Sequence, residues 1–423
     1  MRNDWAWKTW NEKYFAAYSA NIAPLFAGGQ AQVKKYLAGK KLLYYAEGAE
    51  AIVSSVQDRK SKLISFFTNG RVEASTNVRD VQVMYMLGHL PMLLHDNPEK
   101  VLVIGTGSGM TLGAVSVYPT VERITLAEIE PKVLGVAETF SAWNHNVLQN
   151  NKLDIVFNDG RNYLLTTRQK FDVITADPIH PSWRGSGYLY TDEYFHLVSS
   201  RLNPGGIACQ WLPLYQMSVE DIKSTVKTFS NNFKYTMLWM TLTDVELVGS
   251  NTPIRIDEKQ IRKRMKIPEV ASDMNLSFMG PTTDLLTYFL MGNNNARQFS
   301  KNAILNTDNN VFLEYSSPQN IGSISTEYEG MFSLLKYRES IESYMVPLND
   351  QEAQKKRDEK LAQWQDFSDT VDQAHIMRLG MISGAEKYTA QDLQSLKNKM
   401  QAVPDLGLWK ILKLTLFGSP KIQ

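Results

Sequence analysis

The chain has 423 residues, enough to bury a large core and to build more than one structural unit. Its 45 basic and 44 acidic residues leave a net charge of +1. The longest block of like charge is the short Lys355-Lys356-Arg357 run, so the footprint of a nucleic-acid binder is absent and any charged substrate must be recognised locally. A single cysteine, Cys209, rules out an intramolecular disulfide framework and a thiolate metal site. It is expected as a buried core thiol in a reducing compartment. No uninterrupted apolar run reaches the roughly 18 residues of a spanning helix, and residues 1–4 are not followed by a signal-peptide core. A soluble, cytoplasmic chain is expected.

In chain order, residues 1–40 read as a helical lead with a break at Pro24 and a glycine pair at Gly28-Gly29. Trp5, Trp7, Trp10, Tyr14, Phe15 and Tyr18 make this lead unusually aromatic, leaving ordinary packing and association with a membrane or membrane protein as open readings. Residues 41–97 change period. LLYYAEGAEAIVSSVQD and KLISFFTNGRVEAST predict short antiparallel strands with a tight hairpin at Asn69-Gly70, and residues 80–94 have helical apolar spacing. From Val101, strands alternate with helical stretches through VLVIG, ITLAEI, LDIVFND and DVITAD. That alternation predicts right-handed βαβ units and a mostly parallel, Rossmann-like sheet over residues 98–250. NPGGIACQWL supplies a turn and the next strand, Ser218 and Asp221 form a capping pattern, and TMLWMTLTDVELVGS reads as the terminal strand pair. Residues 251–345 are more polar, with helical patches around the loop LNTDNNVFLEYSSP. Residues 346–423 read as a charged, solvated helical appendage.

The chemistry gathers at the carboxyl ends of the predicted strands, where α/β folds bind ligands. Gly105, Gly107 and Gly109, with Ser108 among them, follow VLVI directly and precede a helix, so the backbone can turn sharply and let a nucleoside approach. A dinucleotide fingerprint wants glycine where this chain has Met110, which argues for an S-adenosyl ligand over NAD. Glu128 ends the next strand, in place to accept hydrogen bonds from ribose hydroxyls, with a plain surface carboxylate as the other reading. Asp159 and Gly160 offer a short acceptor for an exocyclic amine beside a thin wall, or a simple Asx turn. Asp177 ends the fourth strand and is followed by Pro178, which cannot continue the ladder, so the carboxylate is released into the cleft. Sulfonium alkyl transfer is an in-line displacement that needs a free lone pair on the nucleophile. Asp177 and His180 are therefore the candidate catalytic groups, His180 as a base or lid in a loop with Trp183, Arg184, Gly185 and Gly187. His89, His95, His145, His196 and His375 show no metal-ligand spacing, and no metal is expected.

On these residues, the stretch from about residue 44 to residue 240 resembles the spermidine synthase family, the polyamine aminopropyltransferases, in particular forms fused behind membrane helices. The resemblance implies a methyltransferase-type Rossmann-like fold, decarboxylated S-adenosylmethionine as co-substrate, a small-molecule amine acceptor and a homodimer. It matches Gly105, Gly107 and Gly109 to the family's glycine loop, Glu128 to its ribose carboxylate, Asp159 to its adenine-side aspartate and Asp177 to the first aspartate of its Asp-x-x-Asp-Pro loop. Three departures stand out. Ser108 replaces an aspartate of the glycine loop, His180 replaces the second loop aspartate, and Tyr85 falls where the diamine-binding glutamate belongs. Tyr45, Glu47, Glu73, Asp308 and Glu314 are the candidates for rebuilding a substrate pocket. A methyltransferase using intact S-adenosylmethionine and a non-catalytic interaction module of the same fold remain the alternatives.

Overall fold

The computed structural model describes residue 16 and residues 29–280, 282–323, 325–384 and 388–401. The aromatic residues of the lead, its Pro24 break and the chain after residue 401 lie outside the described residues. The first described helix, α1 (Gln30–Ala38), leads into an antiparallel sheet of β1 (Lys40–Glu47), β2 (Ile52–Asp58), β3 (Ile64–Thr68) and β4 (Arg71–Ser75), in that order. Asn69 and Gly70 between β3 and β4 have φ of 49° and 79°, the positive values that a two-residue turn matched to strand twist requires. Val33 and Leu37 of α1 pack on Val56 and Phe67 to give this small sheet its own core.

Helix α2 (Val78–Leu94) starts where the Asn77 side chain accepts the Arg79 N–H. Every residue from Val81 to Leu94 is buried, so the helix is enclosed by other elements and mostly apolar, with its polar Gln82 and His89 hydrogen-bonded. The large sheet comprises β5 (Lys100–Ile104), β6 (Arg123–Glu128), β7 (Leu153–Phe157), β8 (Phe171–Ala176), β9 (Leu202–Pro213), β10 (Tyr235–Met240), β11 (Asp244–Ser250) and β12 (Phe289–Met291), in spatial order β12-β10-β11-β9-β8-β5-β6-β7. Pairs among β5 to β9 are parallel, and β9–β11, β10–β11 and β10–β12 are antiparallel. The sheet is buried on both faces and its strands alternate between two cores. Val101, Val103, Val173, Cys209 and Val248 join α2 on one face, while Leu102, Ile104, Ile174, Ala208 and Leu247 face the other. Cys209 is the buried thiol expected.

Two segments differ from their sequence reading. Residues 251–345 do more than flank the domain, because β12 completes the edge of the large sheet. A buried Asp273 on α9 (Pro268–Leu276) also accepts from both His89 at 3.0 Å and His145 at 2.8 Å. The pull of two imidazoles on one carboxylate is invisible to spacing, since the three residues are far apart in the chain. The charged carboxyl-terminal helix α14 (Gln351–Ser383) is likewise no solvated appendage. Its Asp372 receives both a 2.6 Å and a 2.9 Å hydrogen bond from Arg338, Arg357 donates to the Val346 carbonyl, and Arg378 is buried. Among the described residues, no helix is long and apolar enough to cross a membrane.

Candidate functional site

The sheet changes direction of travel between β5 and β8: from β5 the chain moves outward to β6 and β7, then returns to lay β8 on the other side of β5. A crevice at the carboxyl ends of the strands is the expected binding place at such a switch point. Gly105, leaving β5 with φ of 85°, lies against the Asp177 backbone across that crevice. At Gly109, the amino cap of α3 (Met110–Ser116), a side chain would press to 2.8 Å from Asn144 Nδ2, which itself ties down the loop by donating to the Ser108 carbonyl. Glu128, the last residue of β6, is buried. One of its oxygens accepts the Thr106 N–H at 2.7 Å and the other the Glu130 N–H at 2.8 Å, so the carboxylate is fixed directly beneath the glycine loop. Glu130 is buried too, and burial alone would raise its pKa, but backbone donors including Glu50 and Lys132 hold it lowered. The β1–β2 turn is thereby fastened to this corner. Asp159 caps α5 (Gly160–Thr166) by accepting the Asn162 N–H. A Cβ on Gly160 would collide with Ile104 Cγ2 at 2.4 Å, so glycine lets this helix seat on the end of β5.

The other side of Asp177 is built differently. Thr175 donates to the Leu87 carbonyl of α2, and continuing the strand alternation puts Asp177 on the same face. Burial, and then the charges of Asp244, Glu73 and Asp80, push its carboxyl up to about 7. Asp244 is also raised to about 7 by burial, against the hydrogen bonds it accepts from Thr243 and from Trp211 Nε1. Glu73 rises to about 7 by burial, with only partial relief from Arg71. Asp80 is raised by burial although the Ser75 hydroxyl donates to it at 2.6 Å, and Glu327 on α13 (Ser325–Leu335) is raised by burial in spite of Arg378 and Arg79. Glu246 is fully buried, and its pKa is driven well above the usual range by burial first, then by Asp244 and Asp177, with Thr241 offsetting only part of this. Carboxylates that are dehydrated and repel one another gain from a cation, and one poised near neutrality suits proton transfer.

Of the pocket candidates from the sequence, Glu73 joins this constellation and the others do not. Asp308 forms a bidentate pair with Arg161, which depresses its pKa, and Glu314 accepts the Gly185 N–H at 3.1 Å. Asp308 thereby ties the 301–316 segment to α5, and Glu314 ties it to the loop after β8. Glu47 accepts from Tyr45 at an exposed strand end, and Tyr85 is buried with its hydroxyl donating to the Trp143 carbonyl. Ser108 is turned inward, its hydroxyl donating to Met84 Sδ at 3.1 Å. The base or lid role expected of His180 is corrected by its surroundings. The imidazole is fully buried, its Nε2 must donate to the Tyr215 carbonyl at 2.9 Å, and Nδ1 is then the acceptor for Ser182. Burial and Arg71 lower its pKa to about 3. With neither nitrogen available, His180 shapes the loop, whose exposed residues include Trp183, with its ring 5.3 Å beneath the Arg71 guanidinium.

The residues that sequence reasoning missed are Asp80, Asp244, Glu246 and Glu327. For two of them a signal existed: Asp244-Val-Glu246 places carboxylates two apart, on one face, in a strand otherwise apolar enough to be central.

Residues 81–249 match the family described as the spermine/spermidine synthase domain. The chain is 33% identical over 142 residues to polyamine aminopropyltransferase 1 of Pseudomonas aeruginosa, covering 33% of this chain and 49% of that protein. It is 29% identical over 198 residues to a spermine synthase of Saccharomyces cerevisiae, covering 42% of this chain and 65% of the relative. A solved spermidine synthase in complex with the transition-state analogue AdoDATO is similar at 23% identity and a TM-score of 0.46, over 50% of this chain and 74% of that one. The chain thus spans about half the length of the first of these relatives, 49%. The matched stretch, residues 81–249, takes in Asp177, Asp244 and Glu246, while Glu73, Asp80 and Glu327 lie outside it.

Proposed function

We propose that the chain moves an aminopropyl group from decarboxylated S-adenosylmethionine to an aliphatic amine. The observation that carries this reading is the setting of Asp177, which sits between a glycine loop braced by Glu128 and a group of acidic side chains, its carboxyl pushed up to about 7 by desolvation and then by Asp244, Glu73 and Asp80. The residues fit the sulfonium nucleoside. The glycine loop gives close backbone approach, Glu128 and Asp159 retain acceptor capacity beyond the backbone donors they hold, and Ser108 adds no charge. In the reaction the amine must first lose a proton, which Asp177 accepts as general base. The nitrogen lone pair then attacks the methylene carbon next to sulfur, the carbon–sulfur bond breaks with its electron pair passing to sulfur, and 5′-methylthioadenosine leaves. The enzyme's part is to align nitrogen, carbon and sulfur and to hold the ammonium groups that do not react.

The inward turn of Ser108 favours a second reading, methyl transfer from intact S-adenosylmethionine, because the loop offers no carboxylate to repel a methionyl carboxylate. Titration calorimetry with the two sulfonium nucleosides separates them. At least tenfold tighter binding of the decarboxylated form supports aminopropyl transfer, and the reverse preference overturns it. Binding of neither would leave an interaction module.

A further inference from the structure

Asp244 and Glu246 are expensive residues for an inner strand. Glu246 is 0% exposed, no donor meets either of its carboxylate oxygens in good hydrogen-bond geometry, and Thr241 gives only partial relief. An unpaired buried carboxylate costs free energy that an apolar side chain of similar size would not. The charges that act most on the pair are Glu327, Asp80 and Asp177, all acidic. Among the described residues, no group of three or more His, Cys, Asp or Glu side chains is placed to hold a metal ion.

Their position is specific. Val245 and Leu247 belong to the core on one face of the sheet and Val248 to the core against α2, so strand alternation puts Asp244 and Glu246 on the α2 face with Asp177. The register pairs Ala176 with Gln210 and Trp211 with Glu246. Asp177, Trp211 and Glu246 therefore form a row across β8, β9 and β11, spanning two strand spacings, or roughly 10 Å between the outer two backbones. Trp211 in the middle is 8% exposed and spends its indole N–H on Asp244 at 3.0 Å, which supports one carboxylate and leaves Glu246 without a donor of that quality. An aromatic face between two acidic ends suits an alkyl chain with a positive charge at each end.

We propose that Asp244 and Glu246 form the subsite for the distal ammonium of a di- or polyamine acceptor, with Trp211 along its methylene spacer and the reacting nitrogen at Asp177. The assignment of the reacting end rests on the proposed aminopropyl transfer. The pair supplies the negative charge that Ser108 and His180 do not, from a strand instead of from the two loops.

The test compares 1,4-diaminobutane with 1-aminobutane, which lacks the distal charge, by calorimetry on the full chain, with 5′-methylthioadenosine titrated separately. The native chain is expected to bind the diamine at least tenfold more tightly than the monoamine, the scale of one charge-assisted hydrogen bond. Glu246→Gln is expected to bring the two amines to within about twofold to threefold of each other while binding of 5′-methylthioadenosine is kept. Asp244→Asn carries the same expectation should the first variant fail to fold. A native chain with no diamine preference overturns the proposal without need of a variant, as does an undiminished preference in folded Glu246→Gln and Asp244→Asn. Loss of the preference in a chain that never binds 5′-methylthioadenosine would sustain the subsite and sink the adenosyl reading instead.

Discussion

The two sides of Asp177 handle buried negative charge in opposite ways. On the glycine-loop side, Glu128, Glu130 and Asp159 are each held by backbone N–H groups, from Thr106, Glu50, Lys132 and Asn162 among others. On the β11 side, Asp244 and Glu246 are buried and Asp177 and Glu73 half-buried, all with too few donors, and their pKa values rise. The first arrangement is complete before any ligand arrives and suits a neutral, shape-recognised nucleoside. The second is incomplete, and only cations complete it. One sheet edge can thus carry a rigid cradle and an electrostatic trap side by side, divided by a single residue.

The sharpest way to break this division is at the divider. Asp177→Asn keeps shape and removes the base, so the rate of aminopropyl transfer is expected to fall by about 10²–10⁴. Affinity for 5′-methylthioadenosine should stay within about threefold, as read by steady-state kinetics and calorimetry. A fall in nucleoside affinity to match the fall in rate would show the two sides to be one. On the cradle side, Glu128→Ala removes two charge-assisted hydrogen bonds to loop amides. It is expected to lower unfolding stability by roughly 2–4 kcal/mol, seen as a lower melting temperature together with weaker nucleoside binding.

The trap side makes a pH prediction with a definite sign. For Asp177, Asp244 and Glu73 the folded pKa of about 7 lies above that of an unfolded carboxyl. Through the window from roughly pH 4 to 7 the unfolded chain therefore binds fewer protons than the folded one, and stability falls as pH rises. Added diamine should flatten that fall by favouring the ionised carboxylates. A melting temperature that climbs from pH 4.5 to 7 and ignores diamine would contradict the account. Smallest of all, Arg71→Gln loosens the loop after β8 by removing the cation over Trp183, worth about 0.5–1 kcal/mol. It should change KM for the amine only a few-fold, with kcat nearly constant.

Much of the cradle was legible in the chain because its parts are local. Glycines after an apolar strand, an acidic residue ending the next strand, Asp-Gly opening a short helix and Asp-Pro ending a fourth strand each fix their own backbone. The alternation of strand and helix places them at one edge. The trap was mostly illegible because its members come from β4, α2, β11 and α13, and only packing brings them together. Asp308 and Glu314 looked like pocket acids until Arg161 and the Gly185 amide claimed them. His180 looked like a base until a backbone carbonyl and a serine took both nitrogens. Spacing reports which residues share an element, whereas the partner that satisfies or abandons a side chain is decided by the fold.

The central claim, that Asp177 joins a nucleoside cradle to an amine trap for aminopropyl transfer, is tested most directly by incubating the chain with decarboxylated S-adenosylmethionine and 1,4-diaminobutane and quantifying 5′-methylthioadenosine and the aminopropylated amine by mass spectrometry. Equal amounts of the two products from the native chain, and about a hundredth or less of either from Asp177→Asn, are predicted. No aminopropylated product from the native chain, or the same yield from Asp177→Asn, would contradict it.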